Sequence, residues 1–321
     1  MIITVTLNAA IDKTLAVPNF RLGRRHRAVE QTSMAGGKGV NVARALKTLG
    51  QPVIATGIAG GPTGMRIIEQ LTDEAILNDF VRIREESRTS TAVIDPTNGD
   101  QTEINERGPA VSEAELELFV DKLLYLAKGA AVCVFSGSLP RGVPDDLYAR
   151  LVQELNKLGV ITVLDSEGEA LRLATRAEPA VVTPNEIEAE ELVGHEFAEA
   201  EDRPAAVREV AELGAQEAIM TLPSGCVALA GEGADRRLYS VEIDPGVVES
   251  RSTVGSGDAF LAGYVSARYG GRPADECLRF AVACGAESVQ HFGAGVLDPR
   301  EAERLAHEVR VEALGEPVAA P

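Results

Sequence analysis

Gly255, Ser256, Gly257 and Asp258 run directly into the helical stretch Ala259-Phe260-Leu261-Ala262-Gly263-Tyr264. Two glycines let the backbone turn tightly enough to aim several N–H groups at one point. The helix N-terminus that follows adds unpaired donors and a partial positive charge. Such a place holds phosphate. A carboxylate there repels a resting anion, but in phosphoryl transfer it can take the proton of an attacking hydroxyl. Asp258 is therefore the candidate base, and the backbone of Gly255, Ser256 and Gly257 the candidate anion hole. Asp is also a favoured helix cap, so the same four residues would serve in a plain capped turn. Other segments must decide.

Ala35-Gly36-Gly37-Lys38-Gly39-Val40-Asn41 is a second glycine-rich turn leading into a helix. It lacks the spacing and the Lys-Ser/Thr pair of a Walker A loop. Its glycines allow close backbone approach to a ligand, and Lys38 and Asn41 add a cation and an amide. With Asp12 at the end of the first strand, the set suits a sugar: Asp12 accepts from hydroxyls and Lys38 meets a phosphate. Arg88 could reach a substrate phosphate, or be a surface charge on an edge strand. Ser138 and Arg141 follow a buried strand in Ser136-Gly137-Ser138-Leu139-Pro140-Arg141. Pro184-Asn185-Glu186-Ile187-Glu188 follows another. Asn185 with Glu188 could hold the water shell of a nucleotide-bound magnesium, and the same pair could form a helix capping box.

Elements must bring these residues together. From about residue 112 helix and strand patterns alternate, predicting a parallel sheet covered on both faces. Ser112 with Glu115 forms a capping box before a helix with apolar face Leu116, Phe119, Leu123 and Leu124. Ala131 to Phe135 reads as a buried strand, Pro144 opens the next helix, and Val160 to Leu164 is a strand ending in Asp165. Ala180 to Thr183 and Ala218 to Thr221 repeat the form. Their ends share one sheet edge, where open α/β proteins bind ligands. Residues 14–34 and 88–106 are polar and β-branched, with turns at Asn19 and Asn98-Gly99-Asp100, and read as antiparallel strands. Helices are expected at 38–49 and 62–77. The small sheet would be a lid, a dimerisation surface or both.

The 321 residues, 45% hydrophobic and 25% charged, describe an ordinary globular protein with room for a substantial core. A formal net charge of −18 argues against a nucleic-acid-binding surface, which needs a basic footprint. Four scattered cysteines read as core residues in a reducing compartment. The histidines form no metal-ligand pattern. With neither signal peptide nor membrane-spanning run, the expected location is cytoplasmic.

In this order these segments resemble the phosphofructokinase-B branch of the ribokinase-like sugar kinases, from Asp12 to the Gly293-Ala294-Gly295 turn. Ala-Gly-Gly-Lys-Gly at 35–39 is most similar to 1-phosphofructokinases and tagatose-6-phosphate kinases. The resemblance implies a three-layer α/β/α sandwich with a mainly parallel central sheet and a small β lid. One domain over 1–314 is expected, with the lid at roughly 12–35 and 86–107 and a flexible tail at 315–321. It implies ATP as donor, magnesium, and a ketohexose phosphate as acceptor, fructose 1-phosphate first, with tagatose 6-phosphate or fructose 6-phosphate as alternatives. The exposed edges of the small lid sheet favour a homodimer through the lid. By the same resemblance Asp258 is the base, and Gly255, Ser256 and Gly257 the anion hole. Asp12, Gly36, Gly37, Asn41 and Ser138 contact the sugar, while Lys38 and Arg88 meet its phosphate. Asn185 and Glu188 serve magnesium through water. Thr221, Gly225, Val282, Gly285 and Ser288 belong to the nucleotide site. Carbonyls at Ser252, Val254 and Ser288 match a potassium site in some relatives.

The chain departs from the family pattern at Ala9 (usually Pro), Thr183 (usually Lys), Pro223 (usually Gly) and Ser256 (commonly Ala). Proline has no N–H to offer a phosphate, so the departures at Thr183 and Pro223 bear on the nucleotide. They also admit a rival of another class, a catalytically silent sugar-phosphate sensor. A nicotinamide enzyme would need Gly-x-Gly-x-x-Gly after the first strand, where this chain has Asn8-Ala9-Ala10-Ile11-Asp12.

Overall fold

A computed structural model of the chain describes residues 1–197 and 199–315. The first third contains β1 (Ile2–Thr6), β2 (Ala10–Ala16), β3 (Glu30–Gly36), α1 (Lys38–Thr48), β4 (Val53–Gly60), α2 (Gly61–Asp73), β5 (Leu77–Ile83), β6 (Arg88–Ile94) and β7 (Gln101–Asn105). Alternation follows through α3 (Glu113–Ala127), β8 (Val132–Ser136), α4 (Leu147–Lys157), β9 (Ile161–Asp165), α5 (Gly168–Thr175), β10 (Val181–Val182), α6 (Glu186–Val193), α7 (Arg203–Glu212) and β11 (Glu217–Leu222). The chain then adds β12 (Gly225–Ala230), β13 (Arg237–Glu242), α8 (Ser256–Tyr269), α9 (Ala274–Ser288), α10 (Pro299–Ala306) and β14 (Arg310–Leu314).

The large sheet has ten strands in the order β14-β13-β12-β11-β10-β9-β8-β1-β4-β5. One buried apolar cluster includes Leu46 of α1, Leu71 of α2, Phe260 and Tyr264 of α8 and Leu278 of α9. Another takes Phe119 and Leu123 of α3, Leu151 of α4, Leu171 of α5 and Val207 of α7. β1 is buried at every residue, as a strand covered on both faces must be. The architecture is a three-layer α/β fold with a large, mainly parallel sheet and a smaller separate one.

The expected parallel run holds only from β5 to β11; β12, β13 and β14 are antiparallel. The reason is the connection at Pro223-Ser224: two residues can close a hairpin, whereas a parallel neighbour needs a crossover of a dozen or more. The small sheet, ordered β3-β2-β6-β7, also differs from expectation. β2/β3 and β6/β7 are antiparallel, but the inner pair β2/β6 is parallel, with Asp12 opposite Ser90. Between those two strands the chain travels through α1, β4, α2 and β5, so it returns in the same direction.

Smaller corrections concern helix ends. α2 stops at Asp73, and Ala75 beyond it has a left-handed backbone (φ 54°), so the helix does not reach residue 77. Pro144 starts a turn in which its carbonyl accepts from Leu147 N–H; the helix itself opens at Leu147. The capping box at Ser112 and Glu115 is present as read. Of the expected tail, Gly315 ends the described residues and 316–321 lie outside them. Among the described residues no helix is long and apolar enough to cross a membrane.

Candidate active site

The carboxyl ends of β1, β8 and β9 meet the small sheet at a cleft of about 430 Å³. It is lined by Asp12, Gly37, Lys38, Asn41, Arg88, Ser138, Asn185, Glu188, Thr221, Val254, Gly255, Gly257 and Asp258. Residues separated by most of the chain thus share one space.

Asp258 stands in the first turn of α8 and is 6% exposed. Its Oδ2 accepts a hydrogen bond from Asn41 Nδ2 at 2.8 Å. Burial, then the nearby Asp165 carboxylate, push Asp258 up to about 7, against the opposing pull of Lys38 and the Asn41 amide. A carboxylate poised there can exist as base and as acid near neutrality. Gly255 caps α8 in the left-handed region (φ 78°), and a Cβ on it would lie 2.7 Å from Ala294 Cβ. α8 has no side-chain cap; Ser256 N–H donates to Thr253 O at 3.2 Å, and the next first-turn donor, Gly257 N–H, is left for a ligand. A Cβ at Gly257 would meet no heavy atom within 4 Å, so this cleft-lining residue leaves room beside those donors.

Asp12 lies on β2, and its Oδ2 accepts from Gly37 N–H at 3.3 Å. Burial raises its pKa above the ordinary carboxylate value, opposed by that bond, Asn41, Arg88 and Arg44. Gly36 does not line the cleft; a Cβ there would fall 2.0 Å from Asp12 Oδ2, so the glycine makes room for the carboxylate. Arg88 is anchored by two backbone carbonyls, Nε to Asn8 O at 3.2 Å and Nη1 to Glu106 O at 3.3 Å. Burial lowers its pKa, and Asp12, Glu167 and Glu106 oppose the shift. Asn8 Nδ2 donates to Ser138 Oγ at 3.1 Å. Among the described residues Thr6 Oγ1, Asn8 Oδ1 and Ser136 Oγ are buried without a partner, and all three residues line the cleft. Unpartnered polar atoms at a cleft floor are what a polyhydroxylated ligand would satisfy.

Residues 4–301 match the pfkB family of carbohydrate kinases. The chain belongs to that family. It is 31% identical to a 1-phosphofructokinase of Borreliella burgdorferi over 97% of this chain and 98% of the other. It is 32% identical to a tagatose-6-phosphate kinase of Staphylococcus epidermidis, over 97% and 99%. A structure of Escherichia coli phosphofructokinase-2 in complex with substrates and products superposes with a TM-score of 0.87 at 29% identity, covering 95% of this chain and 98% of that one.

In this pfkB kinase Lys38 and Arg88 line the same cleft, and each has its own protein partners. Lys38 Nζ pairs with Asp165 Oδ1 at 3.0 Å, and the side chain remains 40% exposed. Burial works to lower its pKa, but Asp165, Glu188 and Asp258 together raise it well above the ordinary lysine value. Asp165, at the carboxyl end of β9, and Glu167 both line the cleft. Sequence reading named Asp165 only as a strand end; its place on the ligand edge was the available signal. Ser90, Thr91, Glu103 and Asn105 of the small sheet also line the cleft, and no motif marks them.

Asn185 caps α6 and forms with Glu188 the capping box foreseen as the alternative to ion binding. Both residues also line the cleft. Burial raises Glu188, with Lys38 opposing most strongly. Thr183 and Thr221 line the cleft too. Gly225, Val282, Gly285, Ser288, Ser252 and Ser256 do not. Gly225 opens β12, where a Cβ would strike Val241 O at 1.9 Å, so its glycine serves the hairpin. Val282 is buried in α9, and a Cβ on Gly285 would lie 3.4 Å from the Ser256 carbonyl. Ser288 Oγ donates to Gly285 O, and Ser252 N–H donates to Val289 O at 3.1 Å. Arg141 is held outside the cleft by Glu85 and the Gly108 carbonyl.

Proposed function

We propose that this chain transfers the γ-phosphoryl group of ATP to a hydroxyl of a ketohexose phosphate, with fructose 1-phosphate as first candidate. The observation carrying this is Asp258, buried and hydrogen-bonded to Asn41, at an uncapped helix N-terminus in the same cleft as Arg88 and Asp12. The named activities of the two relatives support the substrate class.

In this reading Asp12 and Ser138 orient the sugar hydroxyls, and Arg88 binds the phosphate the sugar already carries. Two of its five N–H donors are used by carbonyls, leaving a fork for an anion. Asp258 accepts the proton as the hydroxyl attacks. The N–H groups of Gly255 and Gly257 hold the charge of the transferred group, and Lys38 adds a cation on that side. Positioning and charge stabilisation account for the rate. The small sheet would close over the cleft and exclude water. Its edge strands β3 and β7, with exposed Leu22, Val29 and Ile104 beside them, suit pairing with a second copy.

Among the described residues no three His, Cys, Asp or Glu side chains gather as a metal cage. Glu188 takes Asn185 N–H on Oε2, with the Asp165 and Glu167 carboxylates of the same cleft acting on its charge. That donor set fits magnesium held by nucleotide phosphates and water, with Glu188 and Asn185 reached through water. When bound, the ion would supply charge neutralisation to the transferred group.

A coupled ADP-release assay with magnesium-ATP against fructose 1-phosphate, tagatose 6-phosphate, fructose 6-phosphate and fructose tests the proposal. Turnover on one phosphorylated sugar is expected. Turnover on unphosphorylated fructose alone would remove Arg88 from phosphate recognition. Binding without turnover on all four would favour a sensor.

A further inference from the structure

Arg44 does not line the cleft, yet it meets Asn41, which does, from behind. It lies on α1, one turn beyond Asn41, and is 7% exposed. Its Nη1 donates to Asn41 Oδ1 at 3.3 Å and to Ala294 O at 3.2 Å. Its Nη2 donates to Ala35 O at 2.6 Å and Glu74 Oε1 at 3.0 Å, while Nε donates to Glu74 Oε2 at 2.5 Å. One planar group therefore ties together the Asn41 amide, the first glycine loop, the turn around Ala294 and the end of α2.

The chemistry of these groups fixes which way the Asn41 amide points. A guanidinium has only donors, so it demands the amide oxygen; the NH₂ is then left facing Asp258, whose ionised carboxylate has only acceptors. Turning the amide over would set Nδ2 against the guanidinium and Oδ1 against the carboxylate, both repulsive. The Ala294 contact works on the same site from the other side. Ala294 packs where a Cβ on Gly255 would fall, and a Cβ on Gly295 would lie 2.6 Å from the Asn41 carbonyl.

We propose that Arg44 is a positioning residue for phosphoryl transfer: it locks the Asn41 amide toward Asp258 and braces the Ala294 turn against the anion-binding loop. Resting on the kinase reading, it concerns how the base is held. Lysine cannot replace arginine here, since one ammonium cannot span Asn41, Ala294, Ala35 and Glu74 in a plane.

The test compares Arg44→Lys with the wild type in full pH profiles of kcat and kcat/KM on the phosphorylated sugar that the wild type turns over. The groups whose charges act on Asp258 are Asp165, Lys38 and Asp12, with Asn41 as its hydrogen-bond partner. Losing the amide's donation disfavours the carboxylate, so the acid limb should move up by about half a unit to one unit. kcat should fall roughly tenfold, with KM for ATP changed less. A folded Arg44→Lys with an unmoved acid limb and kcat within about twofold of wild type would overturn the inference. Should that variant fail to fold, Glu74→Gln loosens the opposite side of the same guanidinium, and it must shift the limb in the same direction by less. An unmoved limb there overturns the inference equally. A wild type silent on every acceptor would count against the kinase reading instead. In that case a crystal structure of Arg44→Lys, or of Glu74→Gln if needed, decides: Asn41 Nδ2 still on Asp258 refutes the role, and a turned or displaced amide supports it.

Discussion

Lys38 and Arg88 face the same cleft with the same charge, and the protein holds them in different ways. Lys38 opens α1 and ends on a carboxylate, Asp165, with Glu188 and Asp258 also acting on its charge. Arg88 opens β6 of the small sheet and is gripped by two neutral carbonyls. The first cation belongs to a cluster with three carboxylates. The second is a fixed fork whose remaining donors are free of side-chain carboxylate partners among the described residues. Like charges in a sequence can thus be held in different ways, and the proposed function gives one to the transferred group and one to the substrate's own phosphate.

The largest effect should come from the centre that both cations flank. Asp258→Asn is expected to lower kcat by about 10²–10⁴ while leaving nucleotide affinity near wild type, read by steady-state kinetics and titration calorimetry. Lys38→Met comes next, with a loss of about 10²–10³ in kcat and a smaller change in sugar KM. If its effect fell on sugar KM alone, the two cations would be equivalent and the contrast would fail. Arg88→Met should show the reverse split, raising KM for the phosphorylated sugar about 10- to 100-fold with kcat changed less. An unphosphorylated analogue should be indifferent to that substitution.

The smallest effect expected is on stability. The folded pKa of Asp258, about 7, lies above the ordinary 3.8. Folding therefore retains a proton that the unfolded chain releases, and stability falls as pH rises from about 4 through 7. Asp258→Asn should then melt above the wild type at pH 8, with the gap closing toward pH 4, as measured by thermal denaturation. The same titration makes wild-type kcat/KM rise with pH through about 7, since only the ionised form can accept the proton.

The capping boxes at Ser112–Glu115 and Asn185–Glu188 and the turn at Gly255 were legible because each is closed within a few residues of chain. The strand ends of the parallel run were legible for a similar reason, being marked by continuous apolar stretches. The antiparallel edge beyond β11 was missed, although Pro223-Ser224 is too short for a crossover. The parallel β2/β6 pair had no local signal, since its direction depends on the whole path between those strands.

By itself the sequence determined the family, the glycine turns, the place of Asp258 at the head of a helix and many of the residues around the cleft, because glycine, proline and capping residues act over one turn of backbone. Tertiary structure alone decided the partnerships. Asn41 and Asp258 stand 217 positions apart and Lys38 and Asp165 127 apart, and no local pattern pairs them. Burial likewise raised Asp258 toward neutrality, and close packing drew Gly36 and Gly225 into packing roles. Electrostatics and close packing act through space, and only the folded chain sets those distances.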